Sequence, residues 1–251
     1  MELIILGSGT CAPSARRAGP AACLKADGIN ILVDSAAGTL HQMALAGIHY
    51  ASIDLLLYTH FHVDHVSELA PYIFASRYAG DFTRTAPMQI WGPIGLKVLY
   101  EGLQAIFGQW VEMEPEKMQL FEITEEKFIF NTLTIQTTHV AHTPQSLAYR
   151  ITDSTGKTIV FSGDTDYCPE LVQLAKDADL FLCECANPEG QKRPGHLMPS
   201  EAGRMAGEAE VKRLVLTHFY PICDNYDPLP PCAKEFDGEI LLAEDMMHVV
   251  I

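Results

Sequence analysis

Short hydrophobic runs separate longer amphipathic stretches along most of the chain. Runs rich in Ile, Leu, Val and aromatic residues predict strands, at residues 2–6, 30–34, 54–60, 88–92, 128–138, 146–153, 157–164, 179–184, 213–218 and 238–251. The spacing of apolar residues predicts helices between them, near 36–47, 65–78, 94–107, 169–176 and 199–209, with Ser200 as the N-cap of the last. No linker or repeat interrupts this pattern. We therefore expect one α/β domain over residues 1–251, with two packed sheets and helices outside them.

Four of the predicted strands stop abruptly at a residue that can bind metal. The run "DLLLYTH" ends at His60, "TIVFSGD" at Asp164, "DLFLCE" at Glu184 and "RLVLTH" at His218. Open sheets collect functional side chains at the carboxyl ends of their strands. These four side chains are therefore expected to meet at one edge of the fold.

The segment "THFHVDH" at residues 59–65 adds three further candidate ligands to that edge. His60 and His62 can converge on one ion, while Asp64 and His65 turn towards a second. Buried imidazole and carboxylate groups are costly unless they are paired or bind metal. A ligand set without thiolate fits Zn, Mn or Fe. The segment therefore predicts two adjacent metal sites.

Composition narrows the possible partners and compartment. The formal charge is −15, with only 17 Lys and Arg residues, so binding to long nucleic acid is unfavourable. Seven cysteines without a CxxC motif indicate free thiols, and the pair in "CEC" at 183–185 suggests core packing. No apolar run approaches the roughly 18 residues that a membrane span needs. Together with the absence of a signal-peptide pattern, this predicts a cytoplasmic protein with no membrane association.

These motifs, taken in order, resemble those of the metallo-β-lactamase-fold hydrolases, and in particular the ribonuclease Z-like branch. The hallmark T-H-x-H-x-D-H is present at 59–65. The similarity extends over nearly the whole chain, through the segments "LGSGTCAPSARRAGPA", "HTPQSLAYRI", "FSGDT", "GHLMPSEAGRMA", "LTHFYP" and "FDGEILLAEDMM". The resemblance implies a four-layer αββα sandwich of two mixed sheets.

The resemblance also implies a role for each site residue. His60, His62 and His142 would bind one divalent ion, Asp64, His65 and His218 a second, and Asp164 would bridge the two. Zn is favoured, with Mn or Fe as alternatives. His139 is a second candidate for the place of His142. Asp64 would also position the attacking hydroxide, and His196, supported by Glu184, would protonate the leaving oxygen as a general acid.

One departure from the family bears on the substrate. Ribonuclease Z enzymes carry a long tRNA-gripping arm, whereas residues 143–163 here have the length of a plain hairpin. We therefore expect hydrolysis of a small phosphodiester. Hydrolysis of a thioester, lactone or β-lactam on the same metals and a non-catalytic ligand-binding protein remain alternatives. The aromatic-rich segments 72–87 and 103–116 are expected to roof the pocket, and the resemblance suggests a homodimer.

Overall fold

The structure, a computed structural model, describes residues 1–80 and 87–251. Two seven-stranded sheets form its centre. The first has the order β14-β1-β2-β3-β4-β5-β6 and the second β13-β12-β11-β10-β9-β8-β7, and both mix parallel with antiparallel pairs. The strands are β1 (Glu2–Gly7), β2 (Ala21–Ala26), β3 (Ile29–Val33), β4 (Leu55–Leu57), β5 (Met88–Pro93), β6 (Met118–Ile123), β7 (Lys127–Phe130), β8 (Leu133–His139), β9 (Leu147–Thr152), β10 (Thr158–Phe161), β11 (Leu180–Glu184), β12 (Arg213–Thr217), β13 (Glu239–Leu242) and β14 (His248–Val250).

Helices cover the outer face of each sheet. They are α1 (Thr39–Leu45), α2 (Val63–Val66), α3 (Leu69–Tyr78), α4 (Leu96–Phe107), α5 (Pro169–Ala175), α6 (Pro199–Glu208) and α7 (Leu229–Cys232), with 3₁₀ turns at Tyr50–Ser52, Gly108–Val111 and Pro221–Asn225. Alternation along β1 shows how the layers form, because successive strand side chains point to opposite faces. Leu3 and Ile5 pack in the core between the sheets, whereas Ile4 and Leu6 pack in the core that includes residues of α1, α3 and α4.

A third core lies on the other outer face. Leu171 of α5 and Met205 of α6 pack there with Phe181 and Leu214 of the second sheet. The layers therefore run helix, sheet, sheet, helix, and the predicted αββα sandwich is confirmed. Burial of apolar side chains in all three cores supplies the main driving force for this arrangement.

Several predicted elements are divided in the structure. The run 128–138 forms β7 and β8, joined by a turn in which Asn131 has φ 53°, a left-handed conformation that Asn tolerates. The run 238–251 contributes β13 to the second sheet and β14 to the first. The helical stretch 65–78 is also divided, into α2 and α3. Strands β2 and β6 were not predicted.

The predicted N-cap of α6 is wrong by two residues. The helix begins at Pro199, and its N-cap is Met198, whose backbone N–H donates to Glu201 Oε2 at 2.9 Å. Proline is favourable at the first helical position because the helix needs no N–H there. The Ser200 hydroxyl instead donates to Glu189 Oε1 at 2.9 Å, and so it ties the helix to the preceding loop.

Residues 143–163, where the sequence predicts a plain hairpin in place of the arm of ribonuclease Z, include a short hairpin. Strands β9 and β10 pair antiparallel, from Thr152 opposite Thr158 to Tyr149 opposite Phe161. Asp153 closes the turn by accepting hydrogen bonds from the backbone N–H groups of Thr155 and Lys157. Within the described part of the chain, no helix has the length and apolar character needed to cross a membrane.

Candidate metal centre

The predicted ligands lie at the carboxyl ends of strands from both sheets. His60 and His62 follow β4, and Asp64 and His65 stand on the short helix α2 directly after them. His142 follows β8, Asp164 follows β10 and His218 follows β12. Residues that are far apart in sequence therefore meet at one edge of the sandwich, in two groups, and a third set of potential ligand atoms joins Asp164 and His218 with His196.

The first group consists of His60, His62, His142 and Asp164. One potential ligand atom from each residue lies within 4.8 Å of those of the others. His142 Nε2 is 2.9 Å from His62 Nδ1, and both His60 Nε2 and His142 Nε2 are 3.7 Å from Asp164 Oδ2. Three imidazoles and a carboxylate at these distances can surround one ion.

The second group consists of Asp64, His65 and His218, with the same 4.8 Å limit between their potential ligand atoms. His218 Nε2 lies 3.8 Å from Asp64 Oδ2. Asp164 reaches this group too, because its Oδ1 is 3.3 Å from both His65 Nε2 and His218 Nε2. The two oxygens of Asp164 therefore face different groups, which is the geometry of a bridging carboxylate.

Unpartnered nitrogen atoms show that these side chains fit a metal. His60 Nε2, His65 Nε2 and both ring nitrogens of His218 are buried without a hydrogen-bond partner. Buried polar atoms are nearly always hydrogen-bonded, so four such nitrogens in one place call for another partner. A divalent cation bound by neutral imidazoles would provide a partner for three of them, His60 Nε2, His65 Nε2 and the His218 Nε2 that lies near Asp164.

The pKa shifts of His60 and Asp164 favour the ligand forms of these two residues. Burial and the neighbouring His65 lower the pKa of His60, which keeps its imidazole neutral. Burial alone would raise the pKa of Asp164, but the charges of His218 and His65 hold it well below its usual value. The result is an ionised carboxylate among nitrogen donors, which is the donor set that Zn, Mn or Fe ions bind. Burial alone would lower the pKa of His65, but the carboxylates of Asp164 and Asp34 outweigh burial and raise it, so a metal bound at His65 would displace a proton.

Asp34 orients His65, and sequence reasoning missed it. Its Oδ2 accepts from His65 Nδ1 at 2.8 Å and from the Thr59 hydroxyl at 2.9 Å, and its Oδ1 accepts from Thr59 N–H. A proton on His65 Nδ1 leaves the lone pair on Nε2, facing the site. The signal was present in the sequence, because the strand "NILVD" also stops at an acidic residue.

Gly195 fixes the orientation of His142. The Nδ1 of His142 lies 2.9 Å from the carbonyl oxygen of Gly195, so an Nδ1–H donates there and Nε2 faces the first group. The alternative candidate His139 lies exposed at the end of β8 and belongs to none of the ligand groups found in the described part of the chain.

Glu184 and His196 form a hydrogen-bonded pair beside both groups. Glu184 is buried and accepts from His196 Nδ1 at 3.0 Å and from three backbone N–H groups. Burial lowers the pKa of His196, but its bond to Glu184 and the nearby carboxylates outweigh burial and raise it overall. The His196 ring centroid lies 5.0 Å from that of His142 and 5.7 Å from that of His218. The hydrogen bond to Glu184 thereby holds the His196 imidazole at the edge of the site and favours its protonated form.

The predicted aromatic roof forms a separate groove. Phe74, Phe107 and Trp110 line an open apolar groove of about 570 Å³ with Ala70, Pro71 and Val111, and none of the metal-site residues lines it. Tyr78 contacts Phe74 and Trp110 at its margin. Residues 81–86 of the predicted segment lie outside the described residues.

The αββα sandwich with a histidine and aspartate cluster at one edge defines the metallo-β-lactamase class of proteins. The family model described as a β-lactamase superfamily domain matches residues 29–219. The chain therefore belongs to this superfamily, whose members are mostly metal-dependent hydrolases.

Three proteins similar to this chain illustrate its relationships within the superfamily. An uncharacterised protein of Mycobacterium tuberculosis, Rv1339, is 34% identical over 205 residues, covering 76% of this chain and 70% of that one. Ribonuclease Z of Mycobacterium sp. (strain KMS) is 30% identical over 283 aligned positions, covering 100% and 96%. The crystal structure of the metallo-β-lactamase fold protein YhfI from Bacillus subtilis has a TM-score of 0.85 at 22% identity, covering 99% and 98%. The predicted membership of this superfamily and the likeness to ribonuclease Z are confirmed.

Proposed function

We propose that the protein is a phosphodiesterase that uses two divalent metal ions to hydrolyse a small phosphodiester. The observation that carries the proposal is the Glu184–His196 pair, because a protonated imidazole next to a metal site is the group that a departing alkoxide needs. Hydrolysis of an activated lactam or thioester makes less use of such an acid. Similarity to a ribonuclease Z, an enzyme named for cleaving phosphodiesters, supports the same chemistry.

The roles of the side chains follow from their positions. His60, His62 and His142 would hold one ion, Asp64, His65 and His218 the other, and Asp164 would contact both. When bound, these ions lower the pKa of a coordinated water and polarise a phosphoryl oxygen. Asp64, which is only partly buried, can orient the nucleophile. His196 donates its proton to the leaving oxygen, and Glu184 keeps the ring oriented and charged.

A small substrate agrees with two features of the chain. The β9–β10 hairpin offers no arm for a folded RNA. The alignment with ribonuclease Z needs 283 positions for the 251 residues here, so that relative contains segments that this chain lacks. A net charge of −15 also opposes the approach of a long polyanion.

The test is hydrolysis of bis(p-nitrophenyl) phosphate by zinc- or manganese-loaded protein, with a His196→Ala variant and metal analysis of each sample. We expect wild-type turnover, and a loss of about 10² to 10⁴ in the variant at unchanged metal content. His41→Ala, which alters an exposed histidine of α1, is the matched control and should leave turnover unchanged. Absence of turnover, or equal turnover by wild type and His196→Ala, would refute the assignment and direct the search to thioesters and lactones.

A further inference from the structure

A cation lies at the edge of the metal centre, one aromatic ring away from its histidines. The guanidinium carbon of Arg193 is 5.2 Å from the ring centroid of Tyr220. That ring is nearly perpendicular to the rings of His196 and His218, and its centroid is 6.4 Å from each of theirs. Tyr220 therefore lies beside two histidines of the site, and Arg193 stacks on the ring of Tyr220.

Arg193 differs from Lys192 and Arg17 because it has no acidic partner among the described residues. Lys192 is bound by Asp166 and Glu201 at 2.6 and 2.7 Å, and Arg17 is paired with Asp224 at 3.1 Å. No carboxylate of residues 1–80 or 87–251 comes within 4.0 Å of the Arg193 guanidinium. The chain has 32 acidic residues and 17 basic ones, so partners are abundant. A cation left unpaired beside the site is available to an anionic ligand.

Arg193 is exposed, and its stacking on Tyr220 does not use its N–H groups. Its backbone carbonyl accepts from His196 N–H at 3.2 Å, which joins the loop to the general-acid candidate. Tyr220 is held from its far end, where the hydroxyl contacts Cys11 Sγ at 3.7 Å. Stacking on an aromatic ring leaves the edge of a guanidinium free, and that edge binds phosphate or carboxylate oxygens in pairs.

We propose that Arg193 and Tyr220 form a subsite for a second anionic group of the substrate, separate from the phosphodiester that is cleaved. The natural substrate would then be a small phosphodiester that carries a further phosphate or carboxylate. Arg193 binds that group, and Tyr220 packs against the organic part between the two charges. This inference rests on the proposed phosphodiesterase function and names its substrate class.

Two chromogenic substrates that differ by one phosphate test the subsite. They are thymidine 5′-(p-nitrophenyl phosphate) and the same compound with an added 3′-phosphate. We expect the wild type to favour the second compound in kcat/KM by about 10-fold or more, because hydrogen bonds to charged groups have that effect. Arg193→Ala should abolish the preference through KM, with kcat unchanged, because uniform binding is lost.

Matched variants separate binding from a structural effect. Arg193→Lys should restore part of the preference, because it returns the charge without the paired geometry. Tyr220→Phe should retain the preference, since the ring that supports Arg193 remains. Arg204→Ala is the control, because Arg204 is also an arginine that stacks on a tyrosine. Its guanidinium carbon lies 4.6 Å from the ring centroid of Tyr167, and Arg204 pairs with Glu208 of the same helix, α6. This variant should leave kcat/KM unchanged for both substrates.

Each other outcome has a definite meaning. A wild type without preference, or an equal loss on both substrates in Arg193→Ala, overturns the subsite and leaves the phosphodiesterase proposal intact. If neither compound is hydrolysed, the proposed function fails, and calorimetry on zinc-loaded protein decides the subsite alone. Thymidine 3′,5′-bisphosphate should then bind more tightly than thymidine 5′-monophosphate in the wild type and equally in Arg193→Ala. Equal affinities in the wild type would refute the subsite.

Discussion

At the scale of single residues, the ligand atom that His65 presents depends on its neighbour Asp34. The Asp34 carboxylate accepts hydrogen bonds from His65 Nδ1–H and from the N–H and hydroxyl groups of Thr59. The backbone of Asp34 is left-handed, with φ 56°. Aspartate is one of the few residues with a side chain that tolerates this conformation. Position 34 therefore requires a compact side chain in which both terminal atoms accept hydrogen bonds.

Asp34→Asn should weaken metal binding by about 10- to 100-fold, the usual effect of losing a partner of a ligand histidine. Whichever way the amide is turned, its NH₂ group meets the N–H of either His65 or Thr59, so one hydrogen bond becomes a clash of donors. Competition with a zinc-binding dye measures the affinity. Asp27→Asn is the control, because Asp27 has φ 51° at the opposite end of β3. Equal affinities in the two variants would contradict the role of Asp34.

At the scale of elements, the loop between β11 and α6 contains two glycines with left-handed backbones, and only one of them touches the site. Gly190 has φ +77° and no neighbour within 4 Å of an added Cβ. Gly195 has φ +81°, and an added Cβ would lie 2.9 Å from His142 Nδ1. The backbone strain of an alanine is thus similar at both positions, but the steric effect on a candidate ligand is not.

Gly195→Ala should therefore displace the His142 ring and lower zinc affinity and turnover, whereas Gly190→Ala should lower stability alone. Both variants are expected to lose about 1 kcal/mol of unfolding free energy, because alanine at a positive φ is strained. Urea unfolding of the metal-free proteins checks the matched cost, and zinc titration checks the difference. If zinc affinity falls equally in both, the loop acts on the site through stability and not through contact.

Asp179 ties three segments of the second sheet together. It accepts from Thr158 N–H at the start of β10, from Lys157 before it, and from Lys212 before β12. Burial alone would raise the pKa of Asp179, but these hydrogen bonds and charges hold it at about 2. A carboxylate with a lowered pKa stabilises the fold above its unfolded value of about 3.9, and this contribution is lost as the pH falls through the folded value.

Asp179→Asn should accordingly lower the unfolding free energy at pH 7 by about 1–2 kcal/mol, and the deficit should shrink between pH 4 and pH 2. Urea unfolding at several pH values measures this difference. Asp177→Asn is the neighbouring control, since Asp177 is exposed and has no resolved side-chain hydrogen bond in the described part of the chain. A deficit that stays constant across this pH range would show that the effect is not electrostatic.

The elements that sequence predicted best are those whose pattern reflects burial. Long apolar runs such as "DLLLY" and "RLVL" gave central strands, and their polar ends gave candidate ligands that lie together in the structure. Strand β2, "AACLKA", was missed because small residues lack strand preference and only pairing with β1 and β3 makes them a strand. Pairing across the fold also decides that β13 and β14 enter different sheets. Tertiary contacts of this kind cannot be predicted from the local sequence of a strand.

At the scale of the whole molecule, the candidate centre connects the two sheets. His60, His62, Asp64 and His65 follow a strand of the first sheet, whereas His142, Asp164 and His218 follow strands of the second. The sandwich therefore brings the ligand groups together, and an ion bound between them joins its two halves. Anything that binds the folded chain and not the unfolded chain adds to stability, so metal and fold are thermodynamically coupled.

Zinc should consequently raise the melting temperature of the metal-free protein. At a free concentration 1,000 times the dissociation constant, the gain in unfolding free energy is about 4 kcal/mol per ion. Asp164→Asn should lose most of this gain, because a neutral amide cannot replace the carboxylate that faces both groups. His248→Ala, which alters an exposed histidine paired with Glu2, should retain it. Calorimetric melting with and without chelator provides the measurement, and the zinc-induced shift of each protein is compared with its own metal-free form. Among the described residues, only Asp164 contacts both histidine groups, each through a different oxygen. An equal zinc-induced rise in melting temperature in wild type and Asp164→Asn would therefore show that the stabilising ion binds outside the predicted centre.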